Sequence, residues 1–106
     1  MIYCLTGRLL DKDPSAAIVD CGGVGYRCVV SAATLQSLPQ VGSQVTLYTW
    51  LQVREDGVEL FGFARKEERD LFQLLIGVSG VGPKAAVPRA ERAPTAAHRP
   101  VKSSTG

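Results

Sequence analysis

A mainly β fold with a C-terminal helical piece is the class this sequence predicts, and its β part reads as a small five-stranded Greek-key barrel of the OB type. Three observations carry that reading. Residues 1–64 hold five apolar runs of strand character with one short helical stretch between the third and fourth. Glycine- or aspartate-bearing turns separate neighbouring runs. At residue 65 the apolar period changes from that of a strand to that of a helix.

The elements follow in order. Residues 1–10 are strand-like and are followed by an Asp11-Lys12-Asp13-Pro14 turn, which leaves Asp11 and Asp13 as solvated turn residues rather than a paired-carboxylate site. In 15–21, Ala17, Val19 and Cys21 share one face and Asp20 marks the other, so the first set is predicted to point inward. Gly22-Gly23-Val24-Gly25 makes a glycine turn, and 26–31 returns with Tyr26, Cys28 and Val30 inward and Arg27 outward, completing a hairpin. Residues 32–38 form a short helix that stops at Pro39. Strands at 44–54 and 58–63 flank Glu55-Asp56-Gly57, and an Asp-Gly pair between apolar alternations is a strong hairpin signal. An amphipathic helix is predicted over 66–76 from Leu71, Leu74, Leu75 and Val78, with the charged run 65–70 as its solvated start and no evident N-cap. From Val87 onward the chain is rich in Pro, Ala and Arg with little aliphatic content, so 87–106 is predicted to be disordered.

Composition bounds the function. The chain has 106 residues, room for one small domain and an appendage. Its formal charge of +2 is misleading, because residues 1–86 carry eight basic and nine acidic side chains and the excess lies in the tail. Global charge therefore gives no argument for DNA binding by the folded part. Cys4, Cys21 and Cys28 lack metal-ligand spacing and suit a reducing, cytoplasmic interior, where they read as small buried hydrophobes; a Cys21 to Cys28 bridge is the alternative. No apolar run reaches the roughly 18 residues of a membrane span, and no secretion signal opens the chain. His98 stands alone in the tail, so no triad, metal set or cofactor is indicated and an enzyme is not the favoured class.

Two features carry chemistry. Gly80-Val81-Gly82-Pro83-Lys84 follows an apolar helix, and a turn with two glycines at a helix start exposes main-chain N–H groups suited to phosphate. A helix-terminating glycine is the plainer alternative. A P-loop is set aside because Pro83 occupies its lysine position and the preceding element is helical. Glu55 and Asp56 sit at a hairpin tip, where they are either a good turn or a functional acidic pair. Trp50, Tyr26 and Phe61 suit either a core or base stacking.

Together, Met1-Ile2, the Gly22 to Tyr26 turn, Val53-Arg54-Glu55-Asp56, Leu60-Phe61-Gly62-Phe63, Glu68-Arg69 with Leu71-Phe72, and Gly80-Val81-Gly82-Pro83-Lys84 resemble the bacterial RuvA family of Holliday junction proteins over residues 1 to about 86. The resemblance implies an OB barrel over 1–64 and, over 65–86, the first part of a domain with two helix-hairpin-helix motifs. It implies a homotetramer on a four-way DNA junction, holding it open for the hexameric RuvB ATPase, which a separate C-terminal domain would engage. It implies that Glu55 and Asp56 form an acidic pin at the junction centre, and that Gly80, Val81, Gly82 and Lys84 bind DNA backbone. The chain departs from the family at Val87-Pro88, which is expected to stop the helix. The Ala-, Arg- and Pro-rich text beyond reads as a frameshift or truncation near codon 86, which would remove the rest of the clamp and the motor contact. A generic OB-fold module for single-stranded nucleic acid is the alternative function, and a non-functional assembly remnant is a third.

Overall fold

The computed structural model describes residues 2–77 and 82–90. Its elements are β1 (Cys4–Asp13), β2 (Ala16–Cys21), β3 (Val24–Val29), α1 (Ala32–Ser37), β4 (Gln44–Arg54), β5 (Gly57–Phe63), α2 (Lys66–Ile76) and α3 (Pro83–Ala90). The five strands close into a barrel in the order β1-β2-β3-β5-β4, the arrangement expected of an OB fold. Closure depends on β1 being long enough to pair twice. Its first half meets β4 from Cys4↔Tyr48 to Arg8↔Gln44, and its second half meets β2 as far as Asp13↔Ala16. Within the β2 pairing the register slips at Leu10, between Leu9↔Val19 and Asp11↔Ile18, a bulge that bends the strand. This corrects the turn assigned to residues 11–14, since Asp11 and Asp13 lie within the strand.

The β2–β3 hairpin turns on Gly22 and Gly23, at φ +63° and +92°. Positive φ at both central residues is the geometry that matches strand twist, and glycine takes it without steric cost. A short parallel contact, Cys28↔Leu60 and Val29↔Phe61, seals β3 against β5. Ser31 caps α1 by accepting the Thr34 N–H at 3.0 Å, and Leu35 and Leu38 pack against the barrel core.

Apolar side chains divide into two clusters. One fills the barrel with Leu5, Leu9, Ala17, Val19, Cys28, Val30, Val45, Leu47 and Leu60. Ala17, Val19, Cys28 and Val30 are buried as their strand parity predicts, with Cys21 and Tyr26 partly buried beside them. The other lies outside the barrel, where Phe61 and Phe63 of β5 meet Phe72 of α2 and Ala86, Val87 and Ala90 of α3. The phenyl ring of Phe72 sits 5.2 and 5.0 Å from those of Phe61 and Phe63. Strand β5 is thus apolar on both faces, Leu60 serving one cluster and Phe61 the other.

Several expectations are corrected by the packing. The inward face of α2 is Glu68, Arg69 and Phe72, whereas Leu74 is 70% exposed. The charged run is therefore a buried joint as well as a solvated start. Arg65 is the N-cap, and its backbone N–H donates to the Glu68 carboxylate at 3.1 Å, a capping box without the usual Ser or Thr. Helix α3 runs through Val87-Pro88 to Ala90 instead of stopping at Ala86. Pro88 cannot donate to the Lys84 carbonyl and its ring crowds that oxygen, a cost offset by the buried Ala86, Val87 and Ala90, which hold the helix to the phenylalanine layer. All three cysteines are free, and Cys4 is exposed rather than buried. Cys28 stands opposite Ala17 and Cys21 opposite Val24, so the two are not cross-strand partners and the alternative bridge does not form.

Candidate nucleic-acid interface

The longest hairpin of the barrel ends in an acidic tip. Pairing of β4 and β5 runs from Tyr48↔Phe63 out to Val53↔Val58 and Arg54↔Gly57, so the connection is the two residues Glu55 and Asp56. Both are exposed. Below them, Arg54 Nη2 meets Glu59 Oε1 at 2.6 Å, a rung that commits the nearest cation to another carboxylate. Neither Glu55 nor Asp56 forms an ion pair among the described residues, so the tip presents two carboxylates on a backbone stiffened by the ladder behind it. Val53 and Val58 flank it at 65% and 61% exposure. The tip can repel phosphate and select the placement of a polyanion; it has no partner with which to move protons.

The second candidate element lies where α2 gives way to α3. Gly77 caps α2 with an ordinary right-handed backbone, donating its N–H to the Leu74 and Leu75 carbonyls. The C-cap role thus falls to Gly77. Gly80 and Val81 lie outside the described residues. Gly82 is exposed and its carbonyl accepts the Ala86 N–H at 3.1 Å, opening α3 with Pro83 as its first residue. Lys84 is in the first turn of that helix. The described part of the turn is therefore a helix start at the surface, with backbone N–H groups available to an anion.

The aromatics belong to packing. Phe61 is fully buried, Tyr26 leans on the barrel core, and Trp50 packs against the phenylalanine layer while donating its indole N–H to Gln52 Oε1 at 3.0 Å. On the outer face of β2 and β3, Ile18 pairs with Arg27 and Asp20 with Gly25, so this face carries no outward aromatic side chain. His98 falls outside the described residues. Among the described residues, no group of three or more His, Cys, Asp or Glu side chains could hold a metal ion, and no helix is long and apolar enough to cross a membrane.

What sequence reasoning missed is Arg69, whose guanidinium is buried between helix and barrel. It lies 4.5 Å from the centroid of Tyr3 and 5.4 Å from that of Trp50. Its position inside a charged run hid it, and only its spacing of three from Phe72 hinted at a shared face.

The family model described as "RuvA N terminal domain" matches residues 1–62. Proteins named Holliday junction branch migration complex subunit RuvA are similar over a longer stretch. Those of Rubrobacter xylanophilus and Acidobacterium capsulatum are 51% and 52% identical over 87 residues, 82% of this chain and 44% of each relative. That of Symbiobacterium thermophilum is 51% identical over the same span, 42% of its length. The chain spans less than half the length of these relatives.

Proposed function

Because the chain belongs to the RuvA N-terminal domain family, we propose that it binds four-way DNA junctions as the barrel-bearing part of a non-catalytic branch-migration subunit. The observation that carries this reading is the Glu55-Asp56 tip, two exposed carboxylates at the end of a rigid hairpin. A duplex running straight across the barrel would place phosphates against these carboxylates, whereas an open crossover has a central hole that receives them. Discrimination then comes from repulsion of the wrong shape. Gly80, Val81 and Gly82, followed by Lys84 in the sequence, supply the attraction in this reading, to backbone phosphates and without base readout.

In the same reading the subunit works as a homotetramer in the cytoplasm, close to the nucleoid, and hands the opened junction to the RuvB ATPase. The chemistry of translocation belongs to that motor. Relatives of this chain are more than twice its matched length, so contact with the motor is assigned to the part they have beyond it. A general single-strand-binding module is less well supported, because its usual strand 2 and 3 platform has no outward aromatic residue here.

Gel-shift titration at one fixed salt concentration, with a four-way junction, a linear duplex and a single strand, tests the reading. The wild-type chain prefers the junction. Replacing Glu55→Gln and Asp56→Asn together raises duplex affinity by about tenfold and leaves junction affinity nearly unchanged, since only the repulsive element is removed. Equal affinity for junction and duplex in the wild-type chain, or preference for the single strand, overturns it.

A further inference from the structure

We propose that Arg69 is a positioning residue that fixes the angle between the barrel and the helical pair, so that the acidic tip and the start of α3 meet one junction together. This rests on the junction-binding reading above. A buried guanidinium is costly unless every face is compensated. Here Nε donates to the Thr49 carbonyl at 3.0 Å, Nη1 donates to Gln73 Oε1 at 3.2 Å and to Asp70 Oδ1 at 3.4 Å, and the ring faces of Tyr3 and Trp50 lie beside the cation. The side chain is only 9% exposed.

The origin of these partners matters more than their number. Thr49 and Trp50 belong to β4, the strand that ends in the Glu55-Asp56 tip, and Arg69 belongs to α2, the helix that packs with α3. Thr49 is itself held from the other side, its N–H donating to the Tyr3 carbonyl at 2.7 Å and its hydroxyl to the Ile2 carbonyl at 2.6 Å. The N-terminal segment, the tip-bearing strand and the helix thus meet at one planar cation. The neighbouring phenylalanine contacts hold the layers together but are not directional. A guanidinium with hydrogen bonds in its plane and rings against its face admits one orientation. The apolar layer sets the distance between barrel and helices, and Arg69 sets their angle.

The test is Arg69→Lys in the 106-residue chain. Lysine keeps the charge and loses the planar fork. Far-UV circular dichroism and a cooperative denaturant transition establish that the variant is folded, and Tyr3→Leu, which removes one ring from a partly exposed site, serves in its place if it is not. In the folded variant, preference for the junction over a linear duplex falls about three- to tenfold while duplex affinity stays within about twofold, because each phosphate contact survives but the two elements no longer align. A folded variant with wild-type preference overturns the inference, as does a fall of both affinities in step, which marks loss of stability alone. Absence of junction preference in the wild-type chain instead removes the functional reading and this inference with it.

Discussion

The barrel and the helical layer are both held by apolar burial, yet they are closed in different ways. Around the barrel every strand has two hydrogen-bonded neighbours, so its core is enclosed by backbone on all sides. The helical layer has no such ladder. Its buried side chains are two aromatic rings from β5, one from α2, and Ala86, Val87 and Ala90 from α3, with Val29, Trp50, Leu75 and Ile76 partly buried against them. An unladdered layer depends on its few large side chains and on a directional joint such as Arg69, and it opens at lower free energy than the barrel beneath it.

Phe72→Ala puts that difference to the hardest test. It removes the ring that bridges Phe61 and Phe63 and costs about 3–5 kcal/mol in denaturant unfolding. Amide exchange should show α2 and α3 losing protection while the strands keep theirs; equal loss throughout would make the two regions one cooperative unit.

Gly62→Val strikes the other side. Gly62 faces the barrel interior, where an added Cβ would lie 3.1 Å from Cys28 Cβ, 3.2 Å from Val30 Cγ1 and 3.3 Å from Leu47 Cδ1. Overpacking there costs about 1–3 kcal/mol, and strand amides should lose protection along with the helices, since the layer has no support without the barrel.

The smallest effect concerns the sealed interior. Burial, with a lesser contribution from Cys21, pushes the Cys28 thiol up to about 12. The folded state thus favours the neutral thiol, and its contribution to stability is complete below the unfolded value of about 8.5 and is lost as pH rises toward 12. The stability difference between wild type and Cys28→Ala should therefore shrink from about pH 9 upward. At pH 8, a thiol reagent should modify exposed Cys4 promptly and Cys28 only on unfolding.

Much of the barrel was legible because strand parity and turn chemistry are local. Ala17 and Val19 face inward as Asp20 requires, the paired glycines specify the β2–β3 turn, and α2 begins and ends where its periodicity places it. The acidic tip was legible for the same reason, as two polar residues between alternating runs. Proximity across the fold was not. Nothing local distinguishes the buried Glu68 and Arg69 from the solvated charges beside them, or the exposed Leu74 from a core leucine, because apolar type does not say which face a neighbour will cover. The reach of α3 through Pro88 was hidden likewise, since helix propensity counts the missing N–H but not the phenylalanine layer waiting for Ala86, Val87 and Ala90.

By itself, then, the sequence determined most of the strands, the glycine turn between β2 and β3 and the acidic hairpin tip, all of which follow from steric preference and alternation within a few residues. Only the tertiary structure decided which face of α2 is inside, that β5 serves two cores, and that a buried arginine joins the tip-bearing strand to α2. Those outcomes depend on desolvating one surface against another distant in the chain, and a charge is tolerated there only once Thr49, Gln73, Asp70, Tyr3 and Trp50 have been brought around it.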